Sequence, residues 1–273
     1  MRLISKAITL VSIAIMGANV CISAKQSPAP PTSFTADSIT IANPTMKVYL
    51  PVNPTGRAVV ICPGGCYLGH AIYNEGYDWI PYFNSRGIAV GVLAYSIPKG
   101  DRSLPIHDAE RAIEIMRDSC EVWHIDPKQV GLMGSSAGGH LTATVSIYAT
   151  GRAKPDFQIL FYPWLSMFRP HNVPVKMAYD SFFGADGASP SLEREYSCQL
   201  QVRPDTPRAF IAFSDDDSAV STVSGTEYYM ALHDAGVPAT LHVYSNGEHG
   251  WGFNDFDHHD EMLAHLSKWL SSF

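Results

Sequence analysis

The segment that most constrains the fold of this chain is Gly134-Ser135-Ser136-Ala137-Gly138. It is preceded by Gln129-Val130-Gly131-Leu132-Met133 and followed by Gly139-His140-Leu141-Thr142-Ala143. Together these residues read as a short buried strand, a sharp turn of small residues, and the start of a helix. That is the setting of a G-x-S-x-G nucleophile elbow, in which the serine sits strained at the tip of a sheet with its hydroxyl exposed. Glycines on both sides let the strand and helix backbones approach without side-chain collision. Five residues alone also describe an ordinary glycine-rich turn. The strand before it and the helix after it single out Ser136 as a candidate nucleophile.

Around this turn, strand-like and helix-like segments alternate. Ala58–Cys62, Ile88–Tyr95, Phe157–Tyr162, Ala209–Phe213 and Ala239–Tyr244 are continuous apolar runs, the pattern of strands buried on both faces. Helical stripes are expected over Glu75–Arg86, Asp108–Trp123 and Glu227–Ala235, with Gly87 and Gly236 as stops. The alternation predicts an α/β class with a mostly parallel sheet covered on both faces. The stretch from Trp164 to Pro207 breaks it. Rich in Pro, Ser and aromatic residues, it is expected to form a lid-like insertion over the carboxyl edge of the sheet, where open α/β sheets bind ligands.

The N-terminus carries Arg2 and Lys6, an apolar run from Ala7 to Val20, and Ile22-Ser23-Ala24. This reads as a secretory signal peptide over residues 1–24, cleaved after Ala24, and places the chain outside the cytoplasm, secreted or periplasmic. The run is short and interrupted by Ser12, Gly17 and Asn19, so no membrane span is expected. Cys21 follows Asn19 and Val20, a poor match to the small residues a lipoprotein site prefers. Residues 25–36 are polar and proline-rich and read as a flexible tether, leaving 37–273 as one large domain. Loss of Arg2 and Lys6 takes the formal net charge from −7 to −9. An acidic chain without a basic run argues against nucleic acid and anionic membrane partners and suits a neutral substrate. Cys62, Cys66, Cys120 and Cys198 show no metal-ligand spacing and read as buried thiols; no metal or cofactor is implied.

A serine hydroxyl needs a base to take its proton, and the base needs an orienting acid. When the nucleophile comes from such an elbow, the chain order is Ser, then Asp or Glu, then His. Asp215-Asp216-Asp217 follows the strand Ala209–Phe213; Asp217 is the first choice for the acid and Asp216 the second. His249, flanked by Gly247 and Gly250, follows the strand Ala239–Tyr244 and is the candidate base. His258 and His259 fall in a final amphipathic helix and read as surface residues. The oxyanion of an acyl transfer needs two backbone N–H donors. One is expected from Ala137, the other from Gly65 or Cys66 in the glycine turn after the first buried strand.

These residues resemble the α/β-hydrolase-fold carbohydrate esterases of the xylan acetylesterase type. The resemblance rests on Cys62-Pro63-Gly64-Gly65-Cys66-Tyr67, Glu75-Gly76, Gly87-Ile88-Ala89, Asp108, and Gly134 to Leu141. It continues through Asp217, Tyr228-Tyr229, Ala231-Leu232, Gly236-Val237 and His249-Gly250-Trp251-Gly252. The ungapped spacing from Asp217 to Tyr228-Tyr229 favours Asp217 over its neighbours. Three positions depart from the family pattern. Cys66 stands for the third glycine of the oxyanion turn, Ser96 for an arginine, and Glu248 for a glycine; Ser96 and Cys66 leave the substrate open. The resemblance implies an exported serine esterase acting on acetyl or other small acyl groups of plant polysaccharide fragments, a small-molecule or oligosaccharide ester. Tyr67, Trp164 and Trp251 would then line a sugar-facing wall or pack the base of the lid. A prolyl-oligopeptidase-like peptidase and a non-catalytic carbohydrate-binding protein on the same scaffold are the alternatives.

Overall fold

The apolar runs assemble into one eight-stranded sheet in the computed structural model, which describes residues 38–168 and 173–273. The expected signal peptide (1–24, with Cys21) and tether (25–36) lie outside the described residues. In chain order the strands are β1 (Ser38–Ile41), β2 (Met46–Tyr49), β3 (Ala58–Cys62), β4 (Ala89–Leu93), β5 (Val130–Ser135), β6 (Phe157–Phe161), β7 (Arg208–Ser214) and β8 (Ala239–Tyr244). The helices are α1 (Ile80–Asn84), α2 (Ser103–Asp118), α3 (Cys120–Trp123), α4 (Ser136–Tyr148), α5 (Val173–Phe183), α6 (Pro190–Tyr196), α7 (Thr222–Asp234) and α8 (His259–Leu270).

The strands lie in the order β1-β2-β4-β3-β5-β6-β7-β8. β2 pairs antiparallel with both β1 and β4, and every other pair is parallel. Every residue of β3, β4, β5 and β6 is buried. Successive side chains of a strand point to opposite faces, so burial of all of them means that both faces are covered. On the covering layers α2 packs against α4, and the Tyr82 hydroxyl of α1 donates to the Leu263 carbonyl of α8 at 3.0 Å.

The structure differs from the sequence reading in three places. β1 and β2 are additions: each is four residues long, and the alternation of buried Met46 and Val48 with exposed Lys47 is too brief to stand out. Glu75–Arg86 is not one helix. A 3-10 turn at Tyr77–Trp79 leads into the short α1, whose first turn holds Pro81, and Glu75 stays in the preceding loop. The stripe expected over Asp108–Trp123 starts earlier, at Ser103, and breaks at Ser119 into α2 and α3; its Ala109, Ala112, Ile113 and Met116 are wholly buried. Pro105 sits in the first turn of α2, where the missing N–H has no helical acceptor to lose.

The winding positions the site. From β3 the chain crosses to β4 on one side, then returns to lay β5 on the other. Ligand crevices of open α/β sheets form outside the carboxyl ends of the strands at such a reversal. The residues leaving β3 and β5 are Pro63-Gly64-Gly65 and Ser136. The connection from β6 to β7 carries α5 and α6.

Candidate active site

Ser136 is the first residue of α4 and has φ of +52°. A non-glycine residue held there costs about 1–3 kcal/mol and persists only where its surroundings leave no alternative. The glycines supply that constraint. A Cβ at Gly134 would collide with the Gly138 carbonyl, and one at Gly138 with the Cys62 carbonyl. A Cβ at Gly139 would lie 2.7 Å from Pro163 Cβ. The small residues of the motif therefore let α4 start directly against β3 and β5, and the serine is left at the tip.

β5, β7 and β8 run parallel, so the loops that leave them gather at one edge. There Ser136 Oγ lies 2.9 Å from His249 Nε2, and Asp217 Oδ2 lies 2.7 Å from His249 Nδ1. The side chain of Asp217 is fully buried, while His249 keeps 18% of its side chain exposed. The other carboxylate oxygen of Asp217 accepts the Ala219 and Val220 N–H groups at 2.9 and 2.7 Å. With Asp217 fixed in this way, donation from His249 Nδ1–H leaves Nε2 as the acceptor facing the serine hydroxyl. Asp216 does something else: it accepts the N–H of Gly247 at 3.3 Å and of Glu248 at 2.8 Å, tying down the loop that carries His249. Asp215 is exposed.

The glycine turn after β3 borders the serine. A Cβ on Gly64 would lie 2.9 Å from Ser136 Cβ. Gly65, Cys66 and Tyr67 all have positive φ, at +136°, +55° and +54°. The Gly64 carbonyl accepts from Ala71 N–H, and the Gly65 carbonyl from Leu68 and Gly69 N–H. In a trans peptide the N–H of the next residue points opposite the carbonyl, so the Gly65 and Cys66 N–H groups face away from residues 68–71. Ala137 is in the first turn of α4, where backbone N–H groups have no intrahelical acceptor. The turn is buttressed by the Tyr95 hydroxyl, which donates to the Pro63 carbonyl at 2.7 Å.

Beneath the turn lies a residue whose role the sequence reading did not separate from the family pattern. Glu75 is buried, and its Oε2 accepts Gly64 N–H at 2.6 Å while Oε1 accepts the Tyr162 hydroxyl at 2.9 Å. Burial pushes its carboxyl pKa up, and the two hydrogen bonds and nearby His249 pull the other way. Tyr162, with φ of +36°, follows β6 and also accepts Gly252 N–H at 2.7 Å. The signal in the sequence was an acid ten residues behind a glycine turn, with no Lys or Arg beside it.

Tyr67, Trp164 and Trp251 do not form an exposed wall in this structure. Tyr67 is wholly buried, and Trp164 and Trp251 are each 4% exposed. A sugar-facing ring needs a free face. The Tyr67 ring meets Tyr95, His140 and Phe182, Trp164 packs on His140, and Trp251 stacks on Phe256 and donates to Ser214 Oγ. Their surroundings are those of packing residues. His140 is likewise interior, bonded to the Tyr67 hydroxyl at 2.8 Å and to the Tyr196 carbonyl at 3.0 Å. His258 caps α8 rather than lying within it. Cys62, Cys120 and Cys198 are free thiols, with Cys62 and Cys198 pushed up to about 12 by burial. Cys66, half-buried, is not among these free thiols. Among the described residues no group of three or more His, Cys, Asp or Glu could hold a metal ion, and no helix is long and apolar enough to cross a membrane.

Comparison with known proteins fits this geometry. The chain is 42% identical over 231 residues to an acetylxylan esterase of Xylanibacter ruminicola, covering 83% of this chain and 48% of that protein. It is 28% identical over 227 residues to endo-1,4-beta-xylanase B of Butyrivibrio fibrisolvens, covering 76% of this chain and 34% of that one. The chain thus spans about half of the first relative and a third of the second. Among solved structures, an acetyl ester-xyloside bifunctional hydrolase from Caldicellulosiruptor lactoaceticus superposes with a TM-score of 0.75 at 28% identity, covering 87% of this chain and 92% of that one. A family described as alpha/beta hydrolase fold matches residues 97–253, more than half of the chain and a span that contains Ser136, Asp217 and His249. With the elbow, the strand order and this match in agreement, the chain belongs to the alpha/beta-hydrolase family.

Proposed function

We propose that the protein is a serine esterase that removes acetyl or other small acyl groups from plant polysaccharide fragments such as acetylated xylo-oligosaccharides. The observation that carries this reading is the relay from Ser136 through His249 to Asp217, at 2.9 and 2.7 Å, on a strained elbow. The likeness to an acetylxylan esterase over 83% of the chain supports the acyl group and the sugar.

In the proposed reaction Ser136 Oγ attacks the ester carbonyl carbon as its proton passes to His249 Nε2. Asp217 holds the imidazole in the required tautomer and favours the imidazolium. The carbonyl oxygen becomes an oxyanion, held by N–H groups of Ala137 and of Gly65 or Cys66. Collapse breaks the ester C–O bond, and the sugar oxygen leaves with the proton from His249. Water then adds to the acyl-serine with His249 as base, releasing the acid and restoring Ser136.

The test is turnover of an aryl acetate by the wild type and Ser136→Ala, with melting temperatures alongside. Ser136→Ala is expected to lose at least about 10³-fold in kcat and to melt normally, because the turn is built by its glycines. Near-wild-type turnover in that variant would remove the serine mechanism. Across acetate, butyrate and octanoate esters the specificity constant is expected to fall stepwise, since each methylene alters pocket discrimination by about 1–3 kcal/mol. The connection between β6 and β7, read as a lid, narrows the acyl side in this proposal. Acetate release from acetylated xylan is the outcome expected. Aryl acetate turnover with no release from any acetylated saccharide would sink the carbohydrate part alone, and preference for a proline-containing peptide amide would favour a peptidase. We also propose export, from the pattern of residues 1–24. N-terminal sequencing from a secreting host should begin at Lys25, and a retained Met1 would overturn it.

A further inference from the structure

We infer that Glu75 is a positioning residue of the esterase site, a buried carboxylate that ties the oxyanion turn to the loop carrying the base. The inference rests on the serine-esterase reading above and adds a residue to it. Its two oxygens go to two different parts of the machinery. Oε2 accepts the N–H of Gly64, where an added Cβ would lie 2.9 Å from Ser136 Cβ. Oε1 accepts the Tyr162 hydroxyl, which in turn accepts the N–H of Gly252 in the loop that holds His249. The Tyr162 ring also packs edge-on against the His249 ring, with centroids 4.8 Å apart. Next to Glu75, Asn74 makes a parallel stitch: its carbonyl accepts Phe253 N–H at 2.7 Å and its side-chain amide donates to Gly250 O at 3.2 Å.

Acyl transfer needs the oxyanion donors and the imidazole placed against one carbonyl at the same moment. In this chain the Gly65 or Cys66 donor and the imidazole come from separate loops, after β3 and after β8, with no strand pairing to align them. Glu75 and Tyr162 span that gap. A carboxylate is suited to the position because both of its faces accept, and both neighbours are donors. Burying a carboxylate between neutral donors is unfavourable by itself, and burial does push the Glu75 pKa up. A residue serving only to fill space here would be better apolar.

Glu75→Gln keeps the size but has one acceptor oxygen, so only one of the two donors retains its partner. Tyr162→Phe keeps the carboxylate on Gly64 and cuts the arm to Gly252. The readouts are kcat and KM for an aryl acetate, per serine titrated with an aryl phosphonate, together with the melting temperature. Glu75→Gln is expected to lower kcat about 10- to 100-fold with KM within about threefold, because the link aligns groups that act in the transition state. Tyr162→Phe should lower kcat in the same way. The double variant should be little worse than the poorer single one, because both cut the same link. Wild-type kcat per titrated serine in Glu75→Gln, or a double variant showing the product of two independent losses, would overturn the inference. If Glu75→Gln fails to fold, Tyr162→Phe decides, and wild-type kcat there overturns it. Ser136→Ala run alongside separates the two ideas. Activity in Ser136→Ala removes the serine reading and this inference with it, whereas an inactive Ser136→Ala beside a fully active Glu75→Gln removes only the inference.

Discussion

Asp216 and Asp217 carry the same side chain on adjacent residues, and their hydrogen bonds give them different tasks. Asp217 is buried and bonded to His249 Nδ1, so replacing its acceptor oxygen disturbs the imidazole tautomer directly. Asp217→Asn is expected to lower kcat for an aryl acetate by about 10³- to 10⁴-fold. Asp216 reaches only the backbone of Gly247 and Glu248, and an asparagine there keeps one acceptor for them. Hydrogen bonds to an ionised acceptor are worth about 1.5–3 kcal/mol each and asparagine keeps one of the two, so Asp216→Asn should cost about 100-fold or less. Asp215→Asn, on an exposed side chain, should leave kcat within about twofold. A larger loss in Asp216→Asn than in Asp217→Asn would contradict the observed register of this loop. Three acids in a row after a strand are legible in the sequence. Local pattern alone does not say which one turns inward, because one residue of slip in the turn after β7 changes the answer; the spacing to Tyr228-Tyr229 in the family resemblance is what favoured Asp217.

At the scale of elements, the junction of β3, β5 and α4 depends on what is missing from its side chains. α4 is buried from Ala137 to Ile147, and its first turn touches the Cys62 carbonyl at the end of β3. Gly138→Ala would drive a methyl into that carbonyl. Overpacking of this kind costs about 1–3 kcal/mol. A fall in melting temperature of about 3–10 °C is expected, with loss of esterase activity as the elbow shifts. Gly69→Ala is the control: a Cβ there meets nothing within 4 Å, and its melting temperature should match the wild type. Equal unfolding of Gly138→Ala and wild type would show that the close approach is dispensable. The central parallel strands were legible because burial on both faces demands unbroken apolar runs. β1 and β2 were not, because four residues at a sheet edge carry too little pattern. The Glu75–Arg86 stripe misled for a related reason: its apolar residues are buried, but Trp79 sits on a 3-10 turn and only Ile80, Tyr82 and Phe83 on the short α1.

For the whole molecule, acid sensitivity should follow from His140. It lies under the β6–β7 connection, between Tyr67, Phe182 and the Tyr196 carbonyl, and burial lowers its pKa from 6.5 to about 4 while the bond to Tyr196 opposes the shift. Above about pH 6.5 the folded and unfolded chains both hold it neutral. Between there and about pH 4 only the unfolded chain takes up the proton, so stability is lost as pH falls, by an amount on the order of 2–3 kcal/mol. His242, also lowered to about 4, acts in the same direction but is half-exposed, and water weakens its share. The melting temperature should therefore fall from pH 7 to pH 4.5, and less steeply in His140→Gln; an equal slope in that variant would place the effect elsewhere. What the sequence determined by itself is what local backbone chemistry encodes: the glycine-flanked elbow, the buried strands, and the order of serine, acid and histidine along the chain. Only the tertiary structure decided that Asp216 ties down the loop of His249, why Tyr67, Trp164 and Trp251 face inward, and that Glu75 bonds Tyr162 across 87 residues of chain. Those outcomes depend on how separate loops close over one sheet edge, and no periodicity within a segment records that.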